Sequence, residues 1–283
     1  MRKTLDLLFT VGTGLCAVAA VSIIGIVFAA LLFRGLPAVN WRFLTEQIRM
    51  VGADGGIFYN LVGTIILTVT ALLVCSPVAI GVALIHSVYL RTGAWRRRVM
   101  LLLYILNGVP SLLFGLFGFV VFVKYLGWGK SWVAGGVLLA VMILPTVTIA
   151  LIERIVALPR MYIEAAAGLG LSTSQIIWSV ILPQSFSGLV TGSLLGLARA
   201  AGETAPIMFT ATIFAGATIP HGVKESPVLS LPYHIFILAQ DSFDPSVGAK
   251  VWGAALVLLM LVCGLSLVTL PLRLRTDEEA NHG

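Results

Sequence analysis

Six apolar runs, at roughly residues 10–33, 59–86, 99–123, 131–152, 187–216 and 249–272, occupy most of this 283-residue chain. Crossing roughly 30 Å of hydrocarbon takes about 20 residues of helix, and each run supplies them. Hydrocarbon offers no water to backbone N–H and C=O groups, so a lipid-facing run of this kind folds as helix. The expectation is an all-α integral membrane protein with six transmembrane helices, one membrane domain over residues 1–283. The connecting loops leave no room for a catalytic or nucleotide-binding domain. Composition agrees: charged residues are 11% of the chain, against about a quarter in soluble domains.

The net charge of +6 would raise nucleic acid as a partner, but the charges are placed for a membrane and not for a polyanion. Arg2 and Lys3 precede the first run. Arg91, Arg96, Arg97 and Arg98 separate runs two and three, Arg154 and Arg160 separate four and five, and Arg273 and Arg275 follow the sixth. All of these fall on one side if the chain weaves six times. Basic residues near span ends favour the cytoplasm, so both termini are expected inside. Arg34, Arg42, Arg49, Lys124, Lys130, Lys224 and Lys250 are spread over the other side, mixed with acids. The first run is longer than a signal-peptide core and is expected to remain as a span.

Several local patterns carry no chemistry. Gly129-Lys130-Ser131 resembles the end of a phosphate loop, but Lys124 stands where the pattern needs glycine, and the strand–loop–helix context is missing. Gly12-x-Gly14 lies inside a span and is a weak dinucleotide signal. His86, His221, His234 and His282 have no metal-ligand spacing. Cys16, Cys75 and Cys263 all lie in apolar runs, where a buried thiol is the ordinary reading. Nothing pairs a nucleophile with a base, so no enzymatic activity is expected.

Arg199 and Glu203 are the exception, the two charges well inside a run. Counted at about 1.5 Å per residue from Ser187, Arg199 would lie about 18 Å along its helix, near mid-bilayer. A charge there costs at least about 2.5–3.5 kcal/mol. Four residues apart, the two share a helix face and can pair. An internal salt bridge that lets a polar helix insert is one reading. Against it, arginine before glutamate is the weaker order, and deleting both charges is the simpler route to stability. A role in a polar pathway for Arg199, Glu203 and the adjacent Thr204 is the other reading. Gly188, Gly192, Gly196 and Ala200 recur every fourth residue, a small-residue ridge on which another helix can approach closely. Pro206 removes a helical hydrogen bond and clashes with the Gly202 carbonyl, so Gly202–Pro206 is a candidate kink.

Residues 153–183 connect runs four and five on the expected cytoplasmic face. Ala165–Ala167 favour helix, Gly168 and Gly170 break it, Gln175–Ile181 resumes it and Pro183 is expected to end it. By itself this could be an amphipathic hairpin lying at the interface. The order Glu164-Ala165-Ala166, three residues, Gly170, nine residues, Val180-Ile181-Leu182-Pro183 resembles the EAA motif of ABC importer permeases. Val180, where isoleucine is usual, is the one departure. In that family the loop forms a coupling helix that docks into a cleft of an ATPase subunit. The resemblance therefore implies type I importer permease architecture, a cytoplasmic coupling loop over 153–186, and ATPase coupling through Glu164, Ala165, Ala166, Gly170, Leu182 and Pro183.

A narrower resemblance covers most of the chain. Gly196-Leu-Ala-Arg199-Ala-Ala-Gly202-Glu203-Thr204-Ala205-Pro206-Ile-Met-Phe-Thr210-Ala211 is similar to the signature of the PstA-type permeases of phosphate-specific importers. So are Asn107-Gly-Val-Pro110-Ser111-Leu-Leu-Phe-Gly115, Gly55-Gly56-Ile57 with Asn60 to Thr68, and Leu231-Pro232-Tyr-His-Ile-Phe-Ile-Leu. It implies a multi-pass protein of the bacterial inner membrane. Its partners would be a PstC-like permease, two copies of a PstB-like ABC ATPase and an extracytoplasmic PstS-like phosphate-binding protein. ATP-Mg would sit on the ATPase, leaving this chain without a cofactor. The implied function is phosphate import by alternating access. A sulfate or molybdate permease would share the loop but lack the Arg-Ala-Ala-Gly-Glu-Thr-Ala-Pro segment. An ATP-independent secondary transporter would have no use for the loop.

Overall fold

A computed structural model describes residues 2–49, 54–90, 93–216, 219–240 and 245–281. Arg91 and His282 lie outside these residues, as do the side chains of Arg2, Lys3, Arg273 and Arg275. Five helical runs among the described residues are long and apolar enough to cross a membrane: Phe9–Ala38, Phe58–Tyr89, Trp132–Val156, Thr173–Gly202 and Val247–Leu267. A sixth crossing is built differently. The helices Ala94–Gly108 (α4) and Ser111–Gly118 (α5, prolonged to Tyr125 by a π-helical stretch) meet at an angle of 94°.

The expected third span is thus not one helix, and the cause is Asn-Gly-Val-Pro. Pro110 cannot donate a helical hydrogen bond, and its ring drives the preceding residue out of the α region. Val109 accordingly takes φ −69°, ψ 130°. The bent pair still carries the chain across. Helix α3 (Phe58–Leu84) and helix α6 (Trp132–Val156) run parallel, with Gly135 packed on Leu67 and Gly136 on Thr70 toward their starts and Ala83 clustered with Ile152 toward their ends, so both start on the same side. Six crossings put both ends of the chain on one side, as the charge distribution requires.

Helix α6 is the axis of the fold. Its residues Leu138, Leu139, Met142, Ile143 and Val147 are almost fully buried, and they join Leu67, Ala71 and Cys75 of α3 in the main core. On its other flank lies helix α9 (Leu182–Gly202), antiparallel to it. Gly188 faces Arg154, Gly192 faces Val147 and Ala150, and Gly196 faces Val147 and Ile143. The small-residue ridge read from sequence therefore packs against α6 of the same chain. Lipid tails are as apolar as the side chains, so burial drives little association here, and close backbone approach supplies the packing energy instead.

The fifth span departs from expectation at both ends. A capping box starts helix α8 (Thr173–Ile176): Ser172 Oγ accepts from Gln175 N while Gln175 Oε1 accepts from Ser172 N at 2.8 Å. A π-helical turn, Ile177–Ile181, then leads into α9 without a stop. Pro183 does not end a helix; it is the second residue of α9, directly after the π-helical turn. At the other end α9 stops at Gly202, and a separate short helix, α10 (Ala205–Thr210), follows. The kink expected over Gly202–Pro206 is a full break, with Glu203 in extended backbone at φ −76°, ψ 133°.

Helices α1 (Arg2–Gly35) and α12 (Pro245–Asn281) run along the outside of this core and contact each other near Gly35, which lies against Trp252 and Leu256. On the outer side a short helix α2 (Trp41–Thr45) and a two-stranded ribbon, β1 (Ile48–Arg49) with β2 (Asp54–Gly55), link α1 to α3. Helix α7 (Arg160–Gly168) forms the first half of the cytoplasmic hairpin, and α11 (Leu231–Gln240) packs between α3 and α12.

A Cβ added at Gly192 would meet the Val147 carbonyl at 2.9 Å. Gly192→Val is therefore expected to cost about 1–3 kcal/mol by overpacking, read as a lower melting temperature of the purified protein. Gly12→Val, where the added side chain meets nothing within 4 Å, should leave the melting temperature near wild type.

Candidate functional site

Two helix breaks meet at one level of the bundle. Helix α4 ends at Gly108 beside the α4–α5 bend, and α9 ends at Gly202 beside the α9–α10 break. The two short helices beyond the breaks are packed on each other, with Gly115 of α5 against the Ala205 carbonyl and Pro206. Broken helices are tolerated in membranes where protein or a polar cavity receives the freed backbone groups. The segments around Asn107 and Arg199 are brought together by this double break. Likewise Asn60–Thr68 meets the start of α11: Asn60 Nδ2 donates to the Ser230 carbonyl at 3.4 Å, and Leu231 N donates to Thr64 Oγ at 2.9 Å.

Arg199 occupies the last turn of α9, not the middle of a helix. A cation is favoured there, where the terminal carbonyls carry partial negative charge. Its Nη1 donates to Asn107 Oδ1 at 2.8 Å, and its Nε lies 3.7 Å from Glu203 Oε1. Thr146 Oγ of α6 donates to the same Asn107 oxygen at 3.3 Å. The Arg199 side chain keeps 29% of its surface exposed and Glu203 17%; its other N–H groups have no partner among the described residues. Thr204 stands at the N-cap of α10 without making a capping bond. Asn107 and Thr146 were not singled out as site residues by the sequence. Asn107 lies 92 positions from Arg199, and no periodicity links them.

A partly exposed i to i+4 ion pair contributes about 0.3–0.5 kcal/mol. Each charge costs at least about 2.5–3.5 kcal/mol to place in a membrane. The pair does not repay its own insertion, so stability alone does not account for it. Chemically, the arrangement is one half-exposed guanidinium flanked by a carboxylate and an amide oxygen. It can bind an oxyanion reversibly through the free N–H groups of Arg199.

The remaining sequence-derived residues fall into two groups. Gly188, Gly192 and Gly196 are buried on α6; Gly202 is exposed with nothing within 4 Å, and Pro206 is buried beside α5. In the cytoplasmic hairpin, Glu164 and Ala165 are exposed, whereas Ala166 is only 6% exposed and belongs to the core cluster with Leu103, Ile155, Ile176, Ile177 and Ile181. Ala166 thus faces inward and packs the hairpin onto α4, α6 and the start of the fifth span; it is not on the surface the hairpin offers outward. Gly170 takes φ +82°, a conformation open to glycine at little cost, and it turns the chain between α7 and α8. Leu182 and Pro183 open α9. Met161, Leu169 and Trp178 stand out from the hairpin at 67%, 83% and 72% exposure.

On the outer side, Lys130 Nζ donates to the carbonyls of Met208 at 3.0 Å and Thr212 at 3.3 Å. This ammonium closes the C-terminal end of α10, and burial lowers its pKa from the ordinary lysine value. Ser131 N also donates to the Thr210 carbonyl. The Gly-Lys-Ser run that resembles a phosphate loop is thus a brace for α10.

The chain matches the family described as binding-protein-dependent transport system inner membrane component, over residues 76–274. It is 32% identical to a probable phosphate transport system permease protein PstA of Methanocaldococcus jannaschii, covering 92% of this chain and 91% of that one. It is 29% identical to the phosphate transport system permease protein PstA 2 of Mycobacterium bovis, over 94% and 86% of the two chains. A solved structure of the MetNI methionine ABC transporter in an inward-facing conformation superposes with a TM-score of 0.60 at 17% identity, covering 78% of this chain and 94% of that one. The last likeness shows the type I importer permease fold. This chain belongs to the family of binding-protein-dependent transport system inner membrane components, among the PstA-type phosphate permeases. It is a multi-pass transport subunit of the inner membrane, working with a separate ATPase and a substrate-binding protein.

Lys130→Met is expected to destabilise the α10 end by about 1–2 kcal/mol, once the relief of burying an ammonium is subtracted. Thermal unfolding of the purified protein checks this. An unchanged melting temperature would mean the Met208 and Thr212 carbonyls do not depend on Lys130.

Proposed function

We infer that this chain forms half of the translocation pathway of an ATP-driven inorganic phosphate importer. The observation that carries the reading is the double helix break that sets the half-exposed Arg199 against Asn107 and Glu203. The phosphate-permease relatives support the choice of substrate, and family membership argues against an ATP-independent secondary transporter. A second, PstC-like permease supplies the other half of the pathway. Two PstB-like ATPases hold ATP-Mg and engage the hairpin, and a PstS-like protein delivers phosphate from outside.

The coupling route follows from packing. Glu164, Ala165 and the exposed Met161 and Leu169 form the outward face of the hairpin, which the ATPase grips. Ala166 and its cluster connect that face to Leu103, one turn before Asn107 on α4, and to Ile177 and Ile181, at the foot of the run that carries Arg199. Helix α9, of 21 residues, spans about 30 Å between hairpin and site. ATP-driven movement of the hairpin therefore reaches both partners of the Asn107–Arg199 bond through rigid helices. Alternating access exchanges that internal bond for contacts with phosphate. Glu203 offsets the arginine charge, keeping the anion site weak enough to empty.

The test is uptake of radiolabelled phosphate into vesicles carrying the complete complex, with and without ATP on the ATPase side. Arg199→Ala is expected to abolish ATP-dependent uptake while the ATPase still copurifies. Normal uptake by that variant would remove Arg199 from the pathway, and ATP-independent uptake by the unaltered complex would overturn the importer reading. Gly170→Pro cannot hold φ +82° and is expected to uncouple or release the ATPase; intact copurification and uptake would refute the docking role of the hairpin.

A further inference from the structure

A lone arginine in a pathway attracts any small anion, so the groups beside Arg199 decide what it accepts. Hydrogen phosphate and sulfate have the same tetrahedral shape, and at mildly alkaline pH both carry two charges. They differ in one respect: hydrogen phosphate keeps an O–H, whereas sulfate has only lone pairs to offer. An ionised carboxylate accepts hydrogen bonds and donates none, whereas an amide such as Asn107 can both accept and donate. The carboxylate beside Arg199 is Glu203, with Oε1 3.7 Å from Nε. An anion held by the free Nη2 of Arg199, the nitrogen on the Nε side of the guanidinium fork, lies next to this carboxylate.

We propose that Glu203 makes this site selective for an oxyanion that still carries a proton. The inference rests on the phosphate-importer reading and adds to it the protonation state of the cargo: hydrogen phosphate or dihydrogen phosphate, bound with its O–H directed at Glu203. A protonated anion spends its O–H on the carboxylate and its bare oxygens on Arg199, so every partner is matched. A fully deprotonated oxyanion sets lone pairs against the carboxylate and leaves an acceptor facing an acceptor. Sites built around a substrate hydroxyl reject analogues lacking it because a polar group is then left unpaired. The second permease supplies the rest of the wall, but the carboxylate beside Arg199 belongs to this chain.

The decisive experiment removes the binding protein, whose own selectivity would mask that of the permease. The complex of both permeases and the ATPases, reconstituted in nanodiscs, is titrated with inorganic phosphate and with sulfate at one mildly alkaline pH. Bound anion is read by calorimetry. Unaltered complex is expected to favour phosphate, and Glu203→Gln to lower the phosphate-to-sulfate affinity ratio by about tenfold or more, since glutamine keeps the shape but presents a donor. Glu203→Asp, which keeps the acceptor, is expected to retain most of the ratio. Equal gains or losses for both anions in Glu203→Gln would reduce Glu203 to charge balance and overturn the inference, as would an unaltered complex that binds both anions alike or binds neither. ATP-driven phosphate uptake by the complete, binding-protein-containing complex separates the two readings. Intact uptake with an unchanged ratio leaves the importer standing and removes only the selection; failed uptake removes the importer itself.

Discussion

Close backbone approach around α6 is the constraint on which the rest of the structure depends. In lipid the side chains gain little by leaving an apolar solvent, so helices associate where their backbones come near enough for dense van der Waals contact. Gly135 and Gly136 bring α6 onto α3, and Gly188, Gly192 and Gly196 bring α9 onto α6. Each of these glycines faces a backbone or a branched side chain that an added methyl group would crowd. The seam fixes α9 as a rigid rod, and the polar site at its far end is positioned by that rod.

The polar chemistry is placed where regular helix stops. At two breaks, Val109–Pro110 and Glu203–Thr204, the chain gives up helical hydrogen bonds inside a membrane domain. It recovers part of them by packing α5 on α10 and by bracing the end of α10 with Lys130. The remaining freedom is used by Arg199, Asn107 and Glu203. The 2.8 Å bond to Asn107 is charge-assisted, whereas the 3.7 Å ion pair is loose and the guanidinium stays partly open. In the proposed importer that openness suits a site that has to release what it binds, since conduction fails once a site holds its cargo too tightly.

The cytoplasmic hairpin shows how one motif divides its labour. Glu164 and Ala165 face outward while Ala166, next in sequence, is buried with residues of α4, α6 and the run into α9. The helical period makes such neighbours point to different sides. In the proposed coupling the outward residues are the surface the ATPase grips, and the inward one transmits the force. The π-helical turn at Ile177–Ile181 lets the hairpin run straight into α9 despite Pro183, so no flexible joint intervenes between grip and site.

The sequence by itself determined that the chain crosses a membrane six times, which side its basic residues keep, and where the cytoplasmic hairpin lies. It also singled out Arg199 and Glu203. These properties are local: hydrocarbon selects apolar runs of sufficient length, charges resist translocation, and a motif with fixed spacing is read directly. Tertiary structure alone decided that Pro110 bends its span by 94° whereas Pro183 leaves its helix unbroken. Both prolines lack an N–H: at Pro110 the preceding Val109 leaves the helical region, whereas at Pro183 a π turn precedes the ring and the helix continues. It decided, too, that the glycine ridge serves this chain's own α6, that Ala166 points inward, and that Asn107 and Thr146 stand at Arg199. Those partners lie on helices far apart in sequence, and contacts of that kind exist only once the helices have packed.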